Sequence, residues 1–239
     1  MRKWTRLARG VALLAALAIA QQLVASGATP QASPLRVLFV GNSLTSVNDV
    51  PALVQRISQA DGRKLTTRSI AVSDSSLEDH WNRGGVIREI NRGSWDFVVL
   101  QQGPSSLPES RAMLRDYVGR FAAVIVKAGA RPAVYMVWPA AVRMRDFDRV
   151  SESYRLAAAD VGGLLLPAGD AWRAAWQRNP KAALYGPDAF HPSSEGSWLA
   201  ALVIYCRLAD RPPASVALPR SFPSDRQLLV DAATDALGR

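Results

Sequence analysis

The sequence predicts an α/β protein, a three-layer α/β/α sandwich around a parallel sheet of about five strands. Two observations predict it. Short runs that are apolar throughout recur at a steady spacing, as strands buried on both faces do. Segments with helical periodicity lie between them, which is the order of a parallel sheet covered on both sides. The expected strands are Leu35–Val40, Leu65–Val72, Trp95–Gln101, Arg131–Trp138 and Gly163–Pro167. The first connecting helix is expected over Val50–Ala60, with Val50, Leu53, Val54 and Ile57 on one face. A helix start falls near His80. Pro108–Lys127 sets Met113, Tyr117, Val118, Phe121 and Ile125 at three- and four-residue spacing, and Gly129 stops it. Asp148–Asp160 and Ala168–Trp176 read as shorter helices, with Asp170 as a cap. Ser193–Leu208 reads as a long helix capped by Ser193 or Ser194, and Asp225–Leu237 closes a Pro-richer tail.

The first residues read differently from the rest. Arg2, Lys3, Arg6 and Arg9 precede the apolar run 11–20, and small residues follow at 25–28. That order is the layout of a secretory signal peptide over residues 1–28, which leaves 34–239 as the folded domain. An uncleaved anchor is the alternative, although a span of the bilayer wants about twenty apolar residues. The expected location is secreted or periplasmic, without stable membrane association once the leader is cut.

Of 29 Lys and Arg, four lie in this leader, so 25 remain against 20 acids, a net charge of about +5. The basic residues are scattered singly, which gives no support to nucleic-acid binding. Cys206 is the sole cysteine and reads as a small core residue. With two histidines and that one cysteine, a nitrogen and sulfur metal site is hard to build. Neither metal nor cofactor is expected.

Two short segments carry the chemistry. Gly41-Asn42-Ser43-Leu44 follows the first strand, so a hydroxyl leaves the sheet edge where ligands of open α/β sheets bind. A hydroxyl needs a base, and the chain holds only His80 and His191. In Asp188-Ala189-Phe190-His191-Pro192, Asp188 can hold one ring nitrogen while the other faces Ser43. The plainer alternatives are a Gly-Asn-Ser turn and, for His80, a structural role or a place in the pocket wall.

The combination resembles the SGNH (GDSL-like) hydrolase superfamily of esterases and lipases. The resemblance spans most of the chain after the leader, from Val40-Gly41-Asn42-Ser43-Leu44-Thr45 to Asp188-Ala189-Phe190-His191-Pro192. It implies a flavodoxin-like fold, Ser43 as nucleophile, His191 as base and Asp188 as its partner. It also implies acyl-ester hydrolysis, including acetyl groups on carbohydrates, without a metal.

The middle blocks depart from the family pattern. The second block's glycine, whose N–H serves the oxyanion hole, is missing from Ala71-Val72-Ser73-Asp74-Ser75-Ser76-Leu77. A backbone N–H of Asp74 or Ser75 is the substitute expected, beside that of Ser43. The third block's asparagine is replaced in Val99-Leu100-Gln101-Gln102-Gly103, which looks like a Leu-Gln-Gln branch of the family. Gln101 or Gln102 could supply the amide, with strand parity favouring Gln101, or the pair could instead hold the rim together. Asn42 and Trp138 are expected to touch substrate, and Trp81 stands near the same rim; Trp172, Trp176 and Trp198 suit the core. The expected partner is a small-molecule or carbohydrate ester. A non-catalytic carbohydrate- or ligand-binding protein on a hydrolase scaffold is the rival, because the oxyanion blocks are altered.

Overall fold

The structure, a computed structural model, describes residues 34–238. The expected leader lies outside the described residues. Residues from Pro34 onward form one unit by their internal contacts.

Five strands make one all-parallel sheet: β1 (Leu35–Gly41), β2 (Leu65–Ala71), β3 (Phe97–Leu100), β4 (Arg131–Tyr135) and β5 (Leu164–Leu166). Their order is β2-β1-β3-β4-β5, the flavodoxin-like order. The inner strands are apolar because both their faces are covered; Val37–Val40 and Val98–Leu100 are buried. The edge strand β2 departs from the expected apolar run. Its Leu-Thr-Thr-Arg-Ser-Ile-Ala sequence is mostly half-buried or exposed, since only β1 pairs with it.

The helices are α1 (Ser43–Ser46), α2 (Val50–Ala60), α3 (Leu77–Arg83), α4 (Gly85–Arg92), α5 (Pro108–Lys127), α6 (Phe147–Asp160), α7 (Ala168–Arg178), α8 (Ser194–Leu208) and α9 (Arg226–Leu237). Helices α2, α7, α8 and α9 pack with one another in one layer, and α3 to α6 pack in the other. Helix α8 is apolar nearly all round and Cys206 is buried in it, as a helix wedged between the sheet and its neighbours must be.

Two elements differ from the sequence expectation. Between β2 and β3 the chain forms two short helices, α3 and α4, broken at Gly84, which takes a left-handed φ of 66°. A capping box starts α3: the Ser76 hydroxyl accepts from Asp79 N, and the Asp79 carboxylate accepts from Ser76 N. Strand β4 ends at Tyr135, three residues before Trp138, although Met136 to Trp138 stay fully buried. Among the described residues no helix is long and apolar enough to cross a membrane.

The connection from β1 runs to one edge of the sheet and that from β3 to the other, so the crossover reverses between these strands. Such a switch point leaves a crevice beyond their carboxyl ends. Ser43 follows β1 and Gln101 follows β3 at this place.

Candidate active site

Strand β1 delivers the chain to Gly41 with no room to spare. A Cβ at Gly41 would come within 2.3 Å of Gln101 Oε1 and 2.5 Å of Thr45 Oγ1, so the approach of β1 to β3 requires glycine. Asn42 then caps α1, its Oδ1 accepting from Leu44 N at 3.1 Å. Ser43 begins this helix and is only partly buried.

The His191 side chain arrives from a segment without regular structure. Gly186 N donates to His191 O at 2.7 Å and Ala189 N to Gly186 O at 3.1 Å, with Ala189 in a left-handed turn at φ 57°. Asp188 Oδ1 accepts from Phe190 N at 3.1 Å and His191 N at 2.9 Å, so the carboxylate organises its own loop. Asp188 Oδ2 lies 2.5 Å from His191 Nδ1, and His191 Nε2 lies 2.9 Å from Ser43 Oγ. The imidazole hydrogen bond, then the two backbone donors, lower the Asp188 pKa from 3.8 to about 2. Asp188 is therefore an anion at any working pH. It holds the Nδ1 proton and leaves Nε2 free to accept from the serine hydroxyl. With side-chain exposures of 32% for His191 and 51% for Asp188, the site is open and shallow at the rim.

Several other expected site residues have different surroundings. Gln101 is fully buried, and its amide is engaged at both ends: Oε1 accepts from Asn42 N (2.9 Å) and Thr45 Oγ1 (2.7 Å), while Nε2 donates to Asn42 Oδ1 (2.9 Å) and Gln102 O (2.6 Å). Gln102 is engaged likewise, Oε1 accepting from Leu77 N and Nε2 donating to Ser105 Oγ and Ser110 O. Neither amide has a hydrogen left for an oxyanion; the pair holds the rim together. Asn42 does not face substrate either. It is 8% exposed, and its Nδ2 donates to Ser75 O at 3.2 Å. The Ser75 N–H closes a turn onto Val72 O at 3.2 Å, which removes it as an oxyanion donor.

Trp138 is a core residue, not a platform at the rim. It is fully buried and stacked 3.4 Å from Trp172, and Nε1 donates to Phe190 O at 3.0 Å. Trp81 packs edge-on against Phe121 beneath α5, because α3 turns it inward. Trp172 and Trp198 are buried and Trp176 partly so. Asp170 does not cap α7. It lies in the first turn, accepts from Ser151 Oγ, and pairs with Arg155 and Arg173.

His80 is buried, with Nε2 donating to Gly41 O at 2.8 Å. Burial lowers its pKa below 6.5, so it is held neutral. Between residues 42 and 47, Ser43 is left as the N–H without a protein acceptor; between 72 and 77, Ser73 and Asp74 are left, all counted among the described residues. Asp74 takes φ 58° and is exposed. Among the described residues no group of three His, Cys, Asp or Glu could hold a metal ion.

Asn48 was not expected. In a left-handed turn at φ 58°, its Nδ2 reaches Pro192 O (3.1 Å), Ser193 O (3.1 Å) and Ser197 Oγ (2.9 Å). Its place between Val47 and Asp49 marks a turn former in the sequence, but nothing there names partners about 145 residues away.

No protein-family profile and no curated protein matches the chain. Solved structures do. A protein from Slackia heliotrinireducens assigned as an SGNH hydrolase is 28% identical, with a TM-score of 0.62 over 74% of this chain and all of that one. The chain is similar in sequence and fold to SGNH hydrolases. A DUF4886 family protein from Bacteroides uniformis matches over 86% of this chain and 95% of that one, at 18% identity and a TM-score of 0.74. A catalytic mutant of an acetylxylan esterase from Geobacillus stearothermophilus matches over 74% and 94%, at 16% identity and a TM-score of 0.59. At these identities the last two likenesses speak for the SGNH fold alone. Hydrolase is the activity class that the SGNH neighbours support.

Proposed function

We propose that the chain is a secreted or periplasmic serine esterase that removes a small acyl group, with an acetyl group on a carbohydrate as the leading substrate class. The observation that carries this reading is the run Asp188 Oδ2, His191 Nδ1, His191 Nε2 and Ser43 Oγ at 2.5 and 2.9 Å. In the reaction, Ser43 Oγ attacks the ester carbonyl while His191 Nε2 takes its proton. The tetrahedral oxyanion draws on the free N–H groups of Ser43 and the Ser73-Asp74 turn. As the carbonyl re-forms, the alcohol leaves with the proton from His191. Water then attacks the acyl-enzyme by the same base, releasing the acid and restoring Ser43. Asp188 stays charged throughout and stabilises the imidazolium. An acetylxylan esterase shares this fold, which makes an acetylated carbohydrate the first substrate to try, and the leader-like first residues support export.

Purified protein should release p-nitrophenol from p-nitrophenyl acetate, an organophosphonate probe should label Ser43, and Ser43→Ala should abolish both. Absence of turnover and labelling with intact fold would favour the rival, a ligand-binding protein on this scaffold. Amino-terminal sequencing of the exported protein tests the leader.

A further inference from the structure

A crevice of about 240 Å³ opens beside the triad, between the loop after β3 and the segment after β4. Phe190 lines it, and the Phe190 ring lies 5.1 Å from the His191 ring. The Phe190 segment is fixed there, because Ala141 N donates to Ala189 O at 2.9 Å and Trp138 Nε1 to Phe190 O. Position assigns a half of the substrate to this space. The imidazole that hands a proton to the departing oxygen must stand beside the alcohol, so a crevice flanking His191 suits the leaving group.

Arg143 lines the same crevice. It is fixed from behind: Nε donates to Asp146 Oδ2 at 2.6 Å and Nη2 to Ser106 Oγ at 3.3 Å. Asp146 is 1% exposed and also binds the Arg149 guanidinium, so two cations share one carboxylate and a positive charge is left over. The Arg143 side chain remains 46% exposed, and among the described residues its Nη1 has no acceptor. A guanidinium so anchored offers its outer edge to a planar anion at little further entropy cost. Leu107 and Pro139 add apolar lining.

We propose that this crevice binds the alcohol half of the ester, and that the alcohol carries a carboxylate recognised by the outer edge of Arg143. The proposal rests on the esterase reading for its catalytic arm and adds an acidic alcohol, such as a sugar acid, to it. The simpler account is that Arg143 only neutralises Asp146.

The test compares phenyl acetate with meta-acetoxybenzoate, whose leaving phenols differ by one carboxylate, each rate divided by its uncatalysed rate. Wild-type protein should prefer the carboxylate ester by roughly tenfold in kcat/KM, as expected for a charged hydrogen-bonded contact, and mostly through KM. Arg143→Gln should bring the ratio to about 1, and Arg143→Lys should keep part of it, because lysine retains the charge without the fork. Raising salt to roughly 0.5 M should shrink the preference. A binding arm needs no turnover: Ser43→Ala protein should bind meta-hydroxybenzoate more tightly than phenol by calorimetry, and the Ser43→Ala/Arg143→Gln double variant should not. Turnover with a ratio near 1 in wild type, or a preference that survives Arg143→Gln, overturns the proposal and leaves the esterase intact. Arg143-dependent binding without turnover of either ester sinks the esterase instead and keeps the carboxylate site.

Discussion

Replacing Gln101 by leucine tests the assignment of this residue as a scaffold for the nucleophile loop. Leucine has similar bulk but neither accepts nor donates. The buried N–H of Asn42 and the buried hydroxyl of Thr45 both lose Gln101 Oε1. The other two partners keep alternatives, since Leu44 N still reaches Asn42 Oδ1 and Tyr154 Oη still reaches Gln102 O at 2.6 Å. Two orphaned buried groups at about 1–3 kcal/mol each predict a loss of about 2–6 kcal/mol, read as a lower urea midpoint with an unchanged slope. Because Asn42 directly precedes Ser43, kcat for p-nitrophenyl acetate should fall by about 10²-fold, the scale for a reacting group displaced by about 1 Å. A double-mutant cycle separates this from generic damage. Thr45→Val removes one of the two orphans, so it should cost less in the Gln101→Leu background than in wild type, with a coupling of about 0.5–3 kcal/mol. Additive effects, or full activity in Gln101→Leu, would refute the scaffold role.

Two further outcomes follow from buried groups near the site. Trp138→Ala empties a fully buried, stacked position and should cost about 3–5 kcal/mol by thermal or urea unfolding; a rise in KM with unchanged stability would restore Trp138 to the rim. His80 has a lowered pKa from burial, so the unfolded chain takes up its proton first, near 6.5, and stability falls as pH drops below that value toward the folded pKa. His80→Gln keeps a donor for Gly41 O and should flatten that slope in unfolding midpoints measured from pH 7 to pH 5; an unaltered slope would assign it to other groups.

The strands and long helices were legible because burial on both faces leaves unbroken apolar runs, and Pro108–Lys127 is reproduced to the residue. The meeting of Ser43, Asp188 and His191 was legible too, since two histidines leave few choices and Asp188 binds its own loop locally. What escaped depends on pairs far apart in sequence. Gln101 at the end of a strand reads equally as an oxyanion donor or a brace; only the location of Asn42 N and Thr45 Oγ1, 59 and 56 residues away, decides it. Trp138 was placed at the rim by counting past a strand end. The chain after Tyr135 instead dives under α7, where Gly169 lets it pass: a Cβ there would lie 2.3 Å from Val137 O. A helix start near His80 was legible, but its break into α3 and α4 was not, because the Gly84-Gly85 pair reads as a turn.

The geometry of the trio is a property of what holds the base segment, because no helix or strand carries Asp188 to His191. On one side Asn48, five residues after the nucleophile, grips Pro192 O and Ser193 O; on the other, Trp138 and Ala141 grip Phe190 O and Ala189 O. Every one of these contacts is made to a backbone carbonyl of the base segment. The demand on residue type therefore falls on Asn48 and Trp138, whose side chains do the holding, while Ala141 donates through its backbone. The holders follow β1 and β4, strands whose separation is fixed by β3 between them. Sheet order thus sets the distance from Ser43 to His191, and a change in either grip would move the imidazole before it moved the serine.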